Sequence, residues 1–316
     1  MYNLAVSLSR GVFTYTLTNT LFHQVIIVRK RPPLSFPQLL VCISLLCALT
    51  GALTLVASHT SPDRHFEQFT SQLFQEEMTG NTLNMHYTIA DPKTFGISEY
   101  EPVLPIYHSD QPEDSKEHCS DLLHRLDRID PDRLSPENAY TYRLLHRSLE
   151  NDLALADFPY YNEPLSPSSG MQSQLPVLLA EYTFRTKRDV TDYLALLDQI
   201  DDYFASLLLY EQEKAAAGFF MPACSSEKVR KQCDTIVTTE ELAQGTHFLQ
   251  TTFEDRLSEL PKQGLFTPEE TASLIKTNDR LLATVVQPAY AALSEGLHSL
   301  ETSTNVDSCL LYTSDA

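Results

Sequence analysis

Between Gln174 and Pro222 the chain reads QLPVLLAEYTFRTKRDVTDYLALLDQIDDYFASLLLYEQEKAAAGFFMP. Within it Val190, Tyr193, Leu194, Leu197, Ile200, Phe204, Leu207 and Leu208 recur at steps of three and four, so one helical face collects them all. Asp192, Asp198, Asp201 and Asp202 fall on the other faces. Thr186 or Asp189 can cap the start and Gly218 can stop the helix, so the spacing predicts one long amphipathic helix. Each large apolar side chain on the stripe contributes about 1.5–3 kcal/mol if fully buried. A stripe of this size needs a partner surface to match.

The rest of the chain offers that surface as further helices. Ser61-Pro62-Asp63 opens a helix striped by Phe66, Phe69, Leu73 and Phe74 and ended by Gly80. Asn84-Met85-His86-Tyr87-Thr88 reads as extended, and residues 101–115 as loop. Leu122, Leu123, Leu126 and Ile129 mark a third helix, and Ser135-Pro136-Glu137 starts a fourth. Thr238-Thr239-Glu240-Glu241 and Thr267-Pro268-Glu269-Glu270 have capping-box patterns, and Pro288 should kink or restart the last helix. With 9 Gly and no Trp among 316 residues, the expected class is all-α: a bundle of long amphipathic helices preceded by one transmembrane or signal helix.

That preceding helix is Leu39 to Ala57, LLVCISLLCALTGALTLVA, with no charge from Pro32 through Pro62. At ~1.5 Å per residue it spans the hydrocarbon layer. Arg29, Lys30 and Arg31 precede it, which keeps the amino terminus inside and sends residues 58–308 across as an exported helical domain. The partner here is the membrane, through residues 39–57. The localisation is the cell membrane with the carboxy-terminal domain outside, or secretion if Val56-Ala57-Ser58 is cleaved. Residues 1–38 are either a cytoplasmic leader or an upstream extension of the reading frame with the start at Val28.

Net charge is -19, and past the apolar segment 19 basic residues face 42 acidic ones. Such a surface repels phosphate backbones, so nucleic acid is excluded as an expected partner. Of the six cysteines, Cys119, Cys224 and Cys233 lie in the exported part, where a Cys224–Cys233 bridge is one option and separate placement the other.

The order of features in the central block is also that of a known family. A short apolar helix ends in Tyr182-x-Phe184. Lys187-Arg188-Asp189-Val190 follows, then the long helix, then Gly218-Phe219-Phe220-Met221-Pro222. This resembles the bacterial "domain of unknown function 885" family from about Phe66 to about Thr302. His86-Tyr87-Thr88, Pro92 and Gly96-Ile97 resemble a similar stretch after that family's first helix. The resemblance implies a zinc-dependent metallopeptidase of the gluzincin type, hydrolysing peptide substrates with a zinc-activated water. It covers only the amino-terminal half of the family's domain. The zinc motif, His-Glu-x-x-His on a helix, lies beyond that half.

None of the ten histidines here is followed by Glu. The expectation is therefore no catalytic residue, no metal ligand and no cofactor in this chain, with zinc in the full-length parent. As written the chain should be inactive. Residues 309–316, CLLYTSDA, resemble translated sequencing-adapter sequence, so the frame is expected to be truncated near Ser308. The rival expectation is a non-catalytic helical ectodomain that binds peptides or scaffolds at the cell surface.

Two stretches are candidate substrate contacts. Ser168, Ser169, Gly170 and Gln172 form a small polar loop before an apolar helix, whose start can offer amides to a carboxylate. His86 and Tyr87 can line a cleft. The carboxylates of Asp198, Asp201, Asp202, Glu211 and Glu213 read as solvated helix surface.

Overall fold

The computed structural model describes residues 3–9, 12–19, 22–29, 61–108, 111–260 and 264–303. The chain divides into two units, residues 1–64 and 65–316. The expected membrane segment at residues 39–57 and the adapter-like residues 309–316 lie outside the described residues. Among the described residues no helix is long and apolar enough to cross a membrane.

In the first unit three strands, β1 (Asn3–Ser9), β2 (Val12–Asn19) and β3 (Phe22–Arg29), pair antiparallel in sequence order. Val6 stands opposite Tyr15, and Tyr15 opposite Ile26. The all-α expectation concerned the exported domain, and this leader lies outside it. Phe13, Tyr15 and Leu17 alternate with Thr14, Thr16 and Thr18, a period of two that suits strands.

From Pro62 onward every regular element described is helical. The helices are α1 (Pro62–Thr79), α2 (Thr82–Thr88), α3 (Gln111–Leu126), α4 (Pro136–Leu155), α5 (Met171–Ala180), α6 (Lys187–Leu197), α7 (Ile200–Ala216), α8 (Ala223–Ile236), α9 (Thr239–Gln244), α10 (Phe248–Ser258), α11 (Pro268–Leu281) and α12 (Gln287–Ser303). The predicted long helix is thus two. α6 starts on a complete capping box, with Thr186 bonding the Asp189 amide and Asp189 bonding the Thr186 amide, and α7 is followed by Gly218 in the left-handed region at φ 87°. Between them the ladder breaks at Asp198-Gln199, which contains no helix breaker. There the Gln199 side chain donates to the Pro102 carbonyl (2.9 Å) and accepts from the Leu104 amide (3.1 Å). A tertiary bond, invisible to periodicity, holds the break.

The main core lies between α5, α6, α7, α8, α10 and the α11–α12 pair. Leu175, Leu179, Val190, Tyr193, Leu197, Phe204, Leu207, Phe253, Leu282 and Leu297 are all at most 1% exposed. α11 and α12 are joined by a π-helical turn, Leu282–Val286, just ahead of Pro288. Proline lacks an amide hydrogen and its ring crowds the carbonyl four residues back, and the wider turn absorbs both effects. α12 crosses α7 closely at Gly296, where a Cβ would sit 2.3 Å from the Leu208 side chain. A second core, under α1, α3 and α4, gathers Phe66, Phe69, Leu122, Leu126, Ile129, Tyr142 and Leu149. Cys119, Cys224 and Cys233 are free. Cys224 and Cys233 share α8 nine residues apart, about 13 Å along the axis, which rules out the bridge.

Candidate functional site

The segment expected to be extended at residues 84–88 is the helix α2. Asn81 caps it by accepting from the Asn84 amide (3.1 Å), and Leu83, Met85 and His86 turn inward. A third apolar cluster of Met78, Met85, Ile89 and Ile97 packs beneath it. Above that floor opens a cleft of about 430 Å³, bounded by α2, the turn at Asp91-Pro92-Lys93, Tyr100, Tyr182 and the start of α6. That volume falls in the ordinary range of small-molecule sites.

His86 is 7% exposed and stacks on Tyr182, with ring centroids 3.6 Å apart at 12°. Its Nε2 accepts from the Thr183 amide (3.0 Å), which leaves the proton of the neutral ring on Nδ1. Nδ1 lies 3.9 Å from Asp189 Oδ1. Burial, then the Arg185 guanidinium, lower the His86 pKa to about 4 against the opposing pull of Asp189. The ring is neutral at pH 7. Asp189 is held by the Arg185 amide (2.8 Å), the Thr186 amide (2.6 Å) and the Thr186 hydroxyl (3.0 Å), all on Oδ2.

Arg188 forms the next wall. Its guanidinium lies 3.8 Å from the centroid of the Tyr100 ring, donates to the Tyr100 carbonyl, and reaches Asp192 at 3.4 Å. Asp192 was expected on a polar face. It is 3% exposed and also accepts from the Tyr100 hydroxyl (2.6 Å). Burial raises its pKa, opposed by Tyr100 and Arg188, while burial and Asp192 together push the Tyr100 phenol up to about 12. Behind the cleft Arg256 donates to the carbonyls of Leu179 (3.0 Å) and Tyr182, and its guanidinium lies over the Phe184 ring at 4.6 Å. It fixes the end of α5 and the strap that carries Tyr182.

Tyr87 points the other way. It is 46% exposed, and its hydroxyl donates to the Leu178 carbonyl at the carboxy-terminal end of α5. The serine loop sits at the opposite end of α5, so the two candidate stretches are not brought together. Ser168 and Ser169 are exposed, and Gly170 is buried. The amides there are used internally: Ser169 donates to Ser166 Oγ, Gly170 to the Ser166 carbonyl and Met171 to the Pro164 carbonyl. Gln172 is fully buried and donates to the Ser166 carbonyl (2.6 Å) and Gln232 (2.8 Å). A Cβ at Gly170 would sit 2.3 Å from the Ser166 amide nitrogen. The loop is closed around its own side chains.

A second titratable group lies on α7. Glu211, expected as solvated surface, is fully buried, and neither carboxylate oxygen has a hydrogen-bond partner among the described residues. Lys214 is 1% exposed and bonds Glu163 (2.9 Å) and the Asn162 carbonyl (3.2 Å) instead. Burial raises the Glu211 pKa to about 7, with Lys214 pulling down and Glu163 pushing up. Sequence reasoning missed this pair and the cleft walls at Lys93, Tyr100, Arg185, Arg188 and Asp189. The available signal was Arg185-x-Lys187-Arg188, a basic run in an acidic chain. Among the described residues no group of three His, Cys, Asp or Glu could hold a metal ion, so the residues described here do not fit the zinc that the family resemblance implies.

Among curated proteins none matches the chain. A crystal structure from Colwellia psychrerythraea, described as that of a "putative lipoprotein", matches with a TM-score of 0.63 at 15% identity. The match covers 77% of this chain and 42% of that one, so this chain spans less than half of that protein's length. At such identity the likeness is one of fold. The family profile described as "Bacterial protein of unknown function (DUF885)" matches residues 93–308, more than half of the chain, and the chain belongs to that family.

Proposed function

We propose that this chain is the amino-terminal, substrate-facing half of a membrane-anchored or secreted zinc metallopeptidase. In this reading it supplies a helical wall and a binding cleft, while the zinc and its ligands belong to sequence beyond it. The carrying observation is the cleft beside His86, concave, floored by apolar side chains and rimmed by polar ones. Two further facts support the reading. The matched structure extends well past the part that this chain covers. Phe158, Tyr161 and Phe219 are 64%, 70% and 62% exposed, as expected of a surface that further sequence covers. An envelope location follows from the basic-flanked apolar segment and agrees with the description of the matched structure.

The test is to read the gene past the codon for Ser308 and express the extended product. The extended frame should encode His-Glu-x-x-His on a helix, and its product should carry one zinc and hydrolyse peptides. The 316-residue chain should do neither. An extended product without the motif or without zinc sinks the enzyme reading.

A further inference from the structure

The charges around the His86 cleft are unequally committed. Asp91 accepts from the Lys93 amide (3.1 Å), and Asp189 is tied to the turn before α6. Arg188 is spent on Tyr100 and Asp192. Lys93 and Arg185 both line the cleft, both are exposed, and the side chain of neither has an ion pair or hydrogen bond among the described residues. Two free cations thus stand at one mouth of a chain whose net charge is -19. In the same cleft the tautomer of His86 is set by the Thr183 amide. Among the described residues its Nδ1–H lacks an acceptor within hydrogen-bond range, since Asp189 stands off at 3.9 Å. Below lies the floor of Met85, Ile89 and Ile97, each at most 6% exposed.

Free cations at the rim, one neutral N–H donor and an apolar floor match one kind of ligand: a carboxylate that adjoins an apolar side chain. A guanidinium receives a carboxylate through two parallel hydrogen bonds, and charge-assisted bonds of this kind are the stronger ones. We propose that the cleft holds the carboxy-terminal residue of a peptide, with Lys93 and Arg185 taking the carboxylate, His86 Nδ1–H donating to it, and the Met85–Ile89–Ile97 floor taking the side chain. This rests on the reading of the cleft as a peptide site. It assigns which end of the peptide lies there.

Calorimetric titration of the full chain tests it with three probes: N-acetyl-L-leucine, N-acetyl-L-leucinamide and hexanoate. N-acetyl-L-leucine should bind, and the amide, which lacks the charge, should bind roughly tenfold or more weakly. Arg185→Gln and Lys93→Gln should each weaken N-acetyl-L-leucine by about the same factor. Both side chains are on the exposed rim, so neither substitution removes packing. Lys231→Gln, an exposed cation on α8 outside the cleft, should change nothing.

Equal binding of acid and amide overturns the proposal. So does indifference to both cleft substitutions, or no binding of any probe. Hexanoate binding as tightly as N-acetyl-L-leucine overturns the peptide assignment and leaves a site for simple carboxylic acids. None of these outcomes depends on zinc. An extended product that hydrolyses peptides while the cleft ignores the carboxylate would sink this inference alone.

Discussion

The His86 cleft and the Glu211–Lys214 pair both bury titratable groups, and they do it in opposite ways. At His86 the burial is matched by a backbone donor and a stacked ring, and the ring sheds its charge. On α7 a lysine and a glutamate are both buried, yet Lys214 pairs with Glu163 and leaves the Glu211 carboxylate without a hydrogen bond among the described residues. The first arrangement places a neutral donor in a cleft. The second holds a carboxyl inside a well-packed helix, where burial favours its protonated form. A buried group is therefore not by itself a sign of a site. What differs is whether the group borders a cleft, as the His86 ring does, or the closed interior, as Glu211 does.

The largest effect that separates them should come from Lys214. Replacing it by Met removes, among the described residues, the cation paired with Glu163 and the one lowering the pKa of Glu211. Lys214 is buried but Glu163 is 40% exposed, so the loss should be at most about 3 kcal/mol, the low end for a buried pair broken from one side. Urea unfolding at pH 7 should show a loss of that size. A loss under about 1 kcal/mol would mean that the lysine is solvated in solution, as an exposed ion pair would be.

The next effects concern pH, and their signs oppose. Folded His86 stays neutral down to about 4, whereas the unfolded ring binds its proton near 6.5. Between those values the unfolded state holds more protons, so acidification destabilises the fold. Arg185, Asp189 and Arg256 are the charges that bear on it. Folded Glu211 keeps its proton up to about 7, whereas the unfolded carboxyl releases it near 4.5. Between those values the folded state holds more protons, so raising the pH destabilises the fold, with Lys214 and Glu163 the charges that bear on it. Each swing amounts to about 3 kcal/mol at full extent.

In the wild-type chain the two slopes offset each other between pH 4.5 and 6.5. Glu211→Gln should unmask the His86 slope, with stability rising from pH 4 to 6.5. His86→Gln should unmask the other, with stability falling from pH 4.5 to 7. Unfolding curves across that range check both. If Glu211→Gln leaves the profile unchanged, the carboxylate is not buried in solution.

The same contrast explains what the sequence made legible. Ends of helices are written locally, because a cap is a side chain bonding an amide two or three residues away. Ser135, Thr186, Thr238 and Thr267 all cap where expected, and Gly218 follows α7. The apolar stripe from Val190 to Leu207 is likewise buried as its period requires. Asp192 and Glu211 escaped because charge type says nothing about which neighbour arrives. Tyr100 and Arg188 cover Asp192 from a loop about ninety residues away and from the preceding helical turn.

Gln199 escaped for the same reason, since its bonds to Pro102 and Leu104 break a helix that looks continuous in isolation. At His86 the residue was legible as a cleft candidate, but its helix was not. Asn81, the cap that makes residues 82–88 helical, lies just before the run that was read as extended.

The smallest expected effect tests whether the cleft's electrostatics come from Asp189 or from the helix start that holds it. Thr186→Ala removes one half of the capping box and one of three bonds to Asp189 Oδ2. It should cost about 1 kcal/mol in urea unfolding. The Arg185 and Thr186 amides still hold the carboxylate in place, so the His86 ring should titrate as before. Asp189→Asn keeps the geometry but removes the charge that raises the His86 pKa, so the midpoint should move down from about 4. Ring proton shifts followed by NMR against pH read both variants. If Thr186→Ala moved the His86 midpoint as far as Asp189→Asn does, the carboxylate would depend on the hydroxyl for its position, and the cap would belong to the cleft rather than to the helix.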